Sequence, residues 1–171
     1  SNTVMLMKSR SPAEKRARCV SAETRYPNGT PALAKMVLMR SLPNGVIGSI
    51  NYRYGGTVRP APMTTPEALE INRMLAEMWA AGIQRCVMEV SSHSLALKRV
   101  RDLKFAVAVF TNFSRDHLDY HQTLDHYKHS KKGLFRDCIV NKQVINIDDP
   151  VGREIVAECP LVTLTTGLEQ N

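Results

Sequence analysis

Apolar positions fall into two regimes along the chain. Across residues 1–43 the stretch KSRSPAEKRARCVSAETRYPNGTP puts proline, glycine and charge where a core element needs a regular apolar period, and only ALAKMVLMRSL (32–42) has helical spacing. From Gly45 the pattern becomes regular. GVIGSINYRY (45–54) predicts a strand. TTPEALEINRMLAEMWAAG (64–82) predicts a helix, with Thr64 or Thr65 as its cap, Pro66 in its first turn, Glu67 at its positive end and Gly82 as its stop. Leu69, Met74, Leu75 and Met78 are its expected buried stripe.

QRCVMEV (84–90), KFAVAVF (104–110) and QVINI (143–147) are short runs of Val, Ile and Phe that read as buried parallel strands. Helical spacing lies between them in SSHSLALKRV and LDHYKHSKKGLFRDC, then in PVGREIVAEC ahead of a last strand at LVTLTT. Strand and helix alternating in this way predict a three-layer α/β domain on a mostly parallel sheet. Ligands of such sheets sit at the carboxyl ends of the strands. Three polar clusters fall there: Glu89, Ser91, Ser92 and His93; Thr111, Asn112, Arg115, Asp116 and His117; and Asn146, Asp148 and Asp149. Taken singly, such residues cap helices and solvate loops. Three clusters on one sheet edge make a candidate site that can hold a phosphate, a carboxylate or a divalent cation.

Length and charge narrow the picture. With 171 residues and 43% hydrophobic content, one domain with a real core is expected. The formal charge of +7 is uneven: residues 1–60 hold ten Lys or Arg against Glu14 and Glu23, while the remainder holds thirteen against fourteen acids. Residues 1–43 are therefore expected to form a divergent, basic and poorly ordered segment, and residues 44–171 the partial domain. A basic arm invites nucleic acid, but it lacks aromatic interleaving and a groove-reading helix, which argues against that partner. No apolar run reaches the ~20 residues that span a bilayer. Four cysteines without CxxC pairing read as buried thiols, so a cytoplasmic protein is expected.

TTPE (64–67), MEVSSHSLALKRV (88–100), FTNFSRDHLDYH (110–121), YKHSKKGLF (127–135) and VINIDDPVG (144–152) stand in one order, behind GVIGSINYRYGG and PAPMTTPE. Together they resemble the central, ATP-binding domain of the Mur ligase family, over about residues 45–165. Within that family they are most similar to the MurE group, which joins diaminopimelate or lysine to UDP-N-acetylmuramoyl-L-alanyl-D-glutamate. The resemblance implies a P-loop/Rossmann-like domain, incomplete in this chain. It also implies ATP-dependent amide synthesis in peptidoglycan assembly: a carboxylate is phosphorylated, an amine attacks the acyl phosphate, and phosphate leaves. Two anions meet in that transfer, so magnesium and basic groups are needed to neutralise the oxygens.

By the same resemblance, Glu89 and His117 match magnesium-binding positions and Lys131 matches a carbamylated lysine. A carbamate presents anionic oxygens where an ammonium would repel the metal. Lys132 is the neighbour to exclude. Thr64, Thr65, Ser91 and Arg99 match positions that grip the UDP-muramoyl dipeptide, through hydroxyls and a guanidinium fork. Leu97 stands where some members carry Gln. Asn112 and Asp116 are expected to shape the loop that positions His117 near the cofactor. His117 and His121 also have HxxxH spacing, but no third ligand or metalloprotease glutamate accompanies them, so zinc is disfavoured.

One departure counts against activity. The family carries GTNGKTT between a strand and a helix, whereas this chain offers YPNGTPALAKM: no Gly-Lys-Thr follows Asn28–Gly29, and Pro31 stands where the helix should open. Without backbone amides around the phosphates and a lysine on the β and γ oxygens, ATP affinity and transfer should both fall. The expectation is thus a MurE-like ligase fragment with little turnover alone; the alternative is an inactive UDP-muramoyl-peptide binding module or a decayed remnant.

Overall fold

A computed structural model describes residues 3–8, 44–113 and 123–167. Their strands are β1 (Thr3–Lys8), β2 (Gly45–Ile47), β3 (Asn51–Tyr54), β4 (Thr57–Pro60), β5 (Arg85–Val90), β6 (Lys104–Phe110), β7 (Ile139–Asn146) and β8 (Val162–Thr166). Their helices are α1 (Ala68–Ala80), α2 (Ser92–Ala96), α3 (Leu124–Asp137) and α4 (Pro150–Glu158). The expected helix over 32–42 lies outside the described residues.

One sheet runs in the order β4-β3-β2-β5-β1-β6-β7-β8. β2 is parallel to β5, and β6, β7 and β8 are parallel in turn. β1 lies antiparallel between β5 and β6, so those two strands share a direction. β3 reverses against β2, and β4 reverses again. The sheet is therefore mixed: β1 and β3 oppose a common direction kept by the other strands. α2 packs on α3, α3 on α4, and α4 on β7.

The run expected as one strand over 45–54 is broken by a bend at 48–50. Beyond the bend, β3 and β4 form a hairpin, because Gly55 and Gly56 adopt φ of +54° and +80°, the pair of left-handed residues that a tight two-residue turn needs. Tyr52 and Tyr54 point into the core and Arg53 outward, with the two-residue alternation of a half-buried strand. β5 is buried from Cys86 to Val90, as a central strand covered on both faces must be.

In α1 the buried residues are Ile71, Met74 and Met78, with Leu75 half-buried. Leu69, expected in that stripe, is 79% exposed. Positions 71, 74, 75 and 78 share one face by the helical period, whereas 69 and 71 differ by about 200° around the axis. Neither threonine caps α1: its cap is Glu67, which makes no side-chain cap bond. Gly82 does end it, at φ +74°. Met78 reaches the sheet because Gly45 has no side chain; a Cβ there would lie 2.4 Å from the Met78 sulfur.

Cys86 and Cys159 are buried, Cys138 is half-buried, and all three are free thiols. Burial pushes the Cys86 thiol up to about 12. Tyr54 is likewise raised to about 12, first by burial and then by its hydrogen bond to the Glu77 carboxylate, which Arg59 Nη2 also engages at 3.0 Å. A phenol with a folded pKa above its unfolded value of about 10 stabilises the fold fully below pH ~10 and loses that contribution as pH rises towards ~12. Tyr54→Phe should therefore flatten the fall in urea-unfolding free energy between those pH values; a slope equal to wild type would contradict this account.

Candidate functional site

Register brings the polar clusters to one edge. Val4 of β1 pairs with Glu89 on one side and Val109 on the other, which puts those two residues level across two strand spacings, about 10 Å. Phe110 is level with Ile145, and Asn146 with Thr166. The residues after β5, β6 and β7 thus emerge along the same edge.

The segment between β4 and α1 meets this edge at Thr65, which is 1% exposed. Its Oγ1 donates to the Glu89 carbonyl at 2.9 Å and accepts from the Ser91 amide at 3.0 Å. A buried hydroxyl used as donor and acceptor at once fixes the segment firmly, since either bond left unmade would strand a buried polar group. Ser91 caps α2: its Oγ accepts from the Ser94 amide at 3.2 Å, while the Ser94 hydroxyl donates to the Ser91 carbonyl at 2.6 Å.

Arg99 closes the cluster. Its Nη1 donates to the Thr65 carbonyl at 3.1 Å, its Nη2 pairs with the Glu67 carboxylate, and its side chain is 15% exposed. Its buried Nε has no hydrogen-bond partner among the described residues. Thr65, Ser91 and Arg99 are therefore brought together, tied to the backbone of Glu89. Thr64, beside them in sequence, is half-buried. Leu97 is 53% exposed.

Glu89 is 6% exposed, although it stands next to the last residue of β5. Its Oε2 accepts from both the amide and the hydroxyl of Ser49 at 2.6 Å, so the bend after β2 satisfies a carboxylate that burial would otherwise penalise. Such charge-assisted bonds are about twice as strong as neutral ones.

Along the same edge the Asn146 amide donates to the Thr111 carbonyl at 2.8 Å, and Thr111 Oγ1 donates to Asn112 Oδ1 at 3.2 Å. Asp149 spans two elements: Oδ1 caps α4 at the Val151 amide at 2.8 Å, and Oδ2 accepts from the Phe113 amide at 2.5 Å. Asp116, His117 and His121 lie outside the described residues.

The two adjacent lysines of α3 have different surroundings. Lys132 pairs with Glu154 at 3.1 Å and with Glu158 at 2.5 Å, tying α3 to α4. Burial lowers its pKa, but hydrogen bonds to Glu158 and Glu154 win and the net direction is up. Lys131 is 2% exposed and its ammonium lies 5.4 Å from the Tyr127 ring centroid. Tyr127 in turn packs 4.8 Å from Phe113, the residue Asp149 holds after β6. Lys131 is thus linked by packing to the site edge, and Lys132 to the helix layer.

Sequence reasoning misses three contributors. Ser49 lies forty positions from Glu89 and carries no local signal. Glu67 is legible for its place at the helix start, but not as the partner of Arg99. Asp149 falls at the right edge, without its bond to Phe113.

The chain is an α/β domain whose strand ends bring together a buried carboxylate, paired hydroxyls and a fixed guanidinium. The profile described as Mur ligase middle domain matches residues 30–171, and the chain belongs to the Mur ligase family. The UDP-N-acetylmuramoyl-L-alanyl-D-glutamate--2,6-diaminopimelate ligase of Geobacter metallireducens is 40% identical over 147 residues, covering 81% of this chain and 29% of that protein. The enzyme of the same name from Clostridium tetani is 43% identical over 126 residues, covering 74% and 26%. A solved structure of a ligase of that name superposes with a TM-score of 0.67 at 29% identity, over 81% of this chain and 29% of the other. The chain thus spans under a third of the length of these relatives.

Proposed function

We propose that this chain binds UDP-N-acetylmuramoyl-L-alanyl-D-glutamate as part of a MurE-type ligase, and that it does not turn over ATP by itself. The observation that carries this reading is the locked cluster of Thr65, Ser91 and Arg99 on the backbone of Glu89. A guanidinium held by Thr65 and Glu67 loses little freedom when it meets a phosphate or carboxylate, and it offers a planar fork to such a group. Thr65 and Ser91 set where that fork stands, and Thr64 and Ser91 supply hydroxyls to the same oxygens.

Glu89 suits a divalent cation, being an anionic oxygen fixed by Ser49 at the strand end. No group of three His, Cys, Asp or Glu side chains forms among the described residues, so His117 and a carbamylated Lys131 are the proposed companions. Magnesium, when bound, supplies neutralisation of phosphate charge. Asn112 and Asp116 are proposed to shape the loop that carries His117.

The nucleotide does not fit in the same way. β1 runs against its neighbours, so it leaves the sheet at Lys8 beside Arg85, the end away from Glu89. A phosphate loop has to follow a strand at the carboxyl edge, and the sequence contains no Gly-Lys-Thr. No phosphoryl-transfer step is assigned to this chain alone.

Calorimetry with UDP-N-acetylmuramoyl-L-alanyl-D-glutamate should give saturable binding. A parallel phosphate-release assay with ATP, magnesium and diaminopimelate or lysine should stay at background. Absence of binding overturns the first half of the proposal, and robust phosphate release overturns the second.

A further inference from the structure

A cleft of about 500 Å3 opens between α2 with its succeeding turn and α3. Thr65, Glu89, Ser91 and Arg99 take no part in its lining. Lys98, Arg101, Arg136, His126 and His129 do, with Asp137 as the lining carboxylate. Three permanent cations thus face one acid, and that acid is already engaged: Arg136 Nε meets Asp137 Oδ1 at 2.7 Å and Nη2 meets Oδ2 at 2.8 Å. Arg136 Nη2 also lies 3.2 Å from His129 Nε2, so this guanidinium is held in place. No carboxylate among the described residues is paired with Lys98 or Arg101.

Two features of the backbone favour the cleft at a cost elsewhere. Lys98 has φ +57°, a left-handed conformation in which glycine would be at ease and a side chain is strained. A lysine kept there lines the cleft despite that strain. Gly133 lines the opposite wall from the interior of α3, where glycine weakens a helix relative to alanine. A Cβ at Gly133 would lie 3.2 Å from Asp137 Oδ2, so the missing side chain keeps that wall open.

We propose that this cleft is a second binding site, for the polyphosphate group of a small phosphorylated ligand. Its volume lies in the range of small-molecule sites. Its cations have the chemistry that recognises clustered phosphate oxygens: Arg101 and Arg136 as planar forks, Lys98 as a mobile point charge. Phosphates, rather than a base or sugar, dominate recognition, so affinity falls steeply with salt.

The test is calorimetry of the full chain with inorganic tripolyphosphate at low ionic strength, with adenosine as the probe lacking phosphate. Tripolyphosphate should bind and adenosine should not. Lys98→Gly should weaken binding roughly tenfold, as loss of one charge-assisted contact does, while raising the melting temperature because the backbone strain is relieved. Those opposite signs separate ligand contact from a structural role. Lys98→Gly with Arg101→Ala should weaken binding further, and Arg73→Ala, which removes a cation paired with Glu70 on the exposed face of α1, should leave it unchanged. The proposal is overturned if tripolyphosphate does not bind, if adenosine binds as well, if the Lys98 and Arg101 variants bind like wild type, or if Arg73→Ala loses the same affinity.

Discussion

Gly152→Ala is expected to destabilise the domain by about 3 kcal/mol, the upper end of what overpacking a tight contact costs. A Cβ at Gly152 would lie 2.0 Å from the Asn146 carbonyl oxygen and 3.2 Å from Ile145 Cγ2. The first of these is backbone at the end of β7, so it cannot rotate away as a flexible side chain could. Either α4 lifts from the sheet or the end of β7 moves. Both outcomes reach the site edge: Asn146 holds Thr111, and Asp149, at the cap of α4, holds Phe113. Urea unfolding should show a lower midpoint with an unchanged slope, and the melting temperature should fall by about 6–12 °C for a chain of this size. A midpoint equal to wild type would show that α4 approaches β7 less tightly than these distances require.

The sequence pattern led correctly wherever one element answers to one local period. β5, β6 and β7 are runs of buried Val, Ile, Phe and Met, and α1, α3 and α4 carry their expected helical spacing, so fold class and the edge bearing Glu89, Thr111 and Asn146 were all legible. Leu69 fails for a matching reason: its apolar character counts without its angle, and Ile71 holds the buried position. The Gly55–Gly56 turn was in the sequence as a hairpin signal, but the apolar run across 45–54 masked it.

Long-range pairing was not legible. Ser49 and Glu89 meet because β2 lies beside β5, a neighbour relation that neither segment encodes. Thr65 was expected as a cap at the helix start; its hydroxyl is instead bonded to Glu89 and Ser91. It therefore shapes the site by fixing Arg99's backbone acceptor, and a cap and a cross-link have the same local sequence. β1 was not legible at all: residues 1–43 showed no strand pattern, TVMLMK has no alternation, and its antiparallel place comes from β5 and β6.

Arg99→Ala is expected to weaken UDP-N-acetylmuramoyl-L-alanyl-D-glutamate binding at least a hundredfold, on the order of 3 kcal/mol, as removal of one partner from a well-desolvated charge contact does. Two losses combine. The fork that would meet the anionic group is gone, and so is the bond to the Thr65 carbonyl that holds the β4–α1 segment on the strand end. Glu67 is then left without its cation beside the site, where its charge repels the ligand instead of positioning Arg99. Arg99→Lys separates these terms. It keeps the positive charge but cannot bond Thr65 and Glu67 while presenting a planar face to the ligand, so it should recover a minor part of the affinity. Glu67→Gln, which retains a hydrogen-bond acceptor and removes the competing charge, should change affinity only a fewfold. Binding by Arg99→Ala within threefold of wild type would remove Arg99 from the recognition site. Equal losses for Arg99→Lys and Arg99→Ala would instead assign the whole effect to the fork.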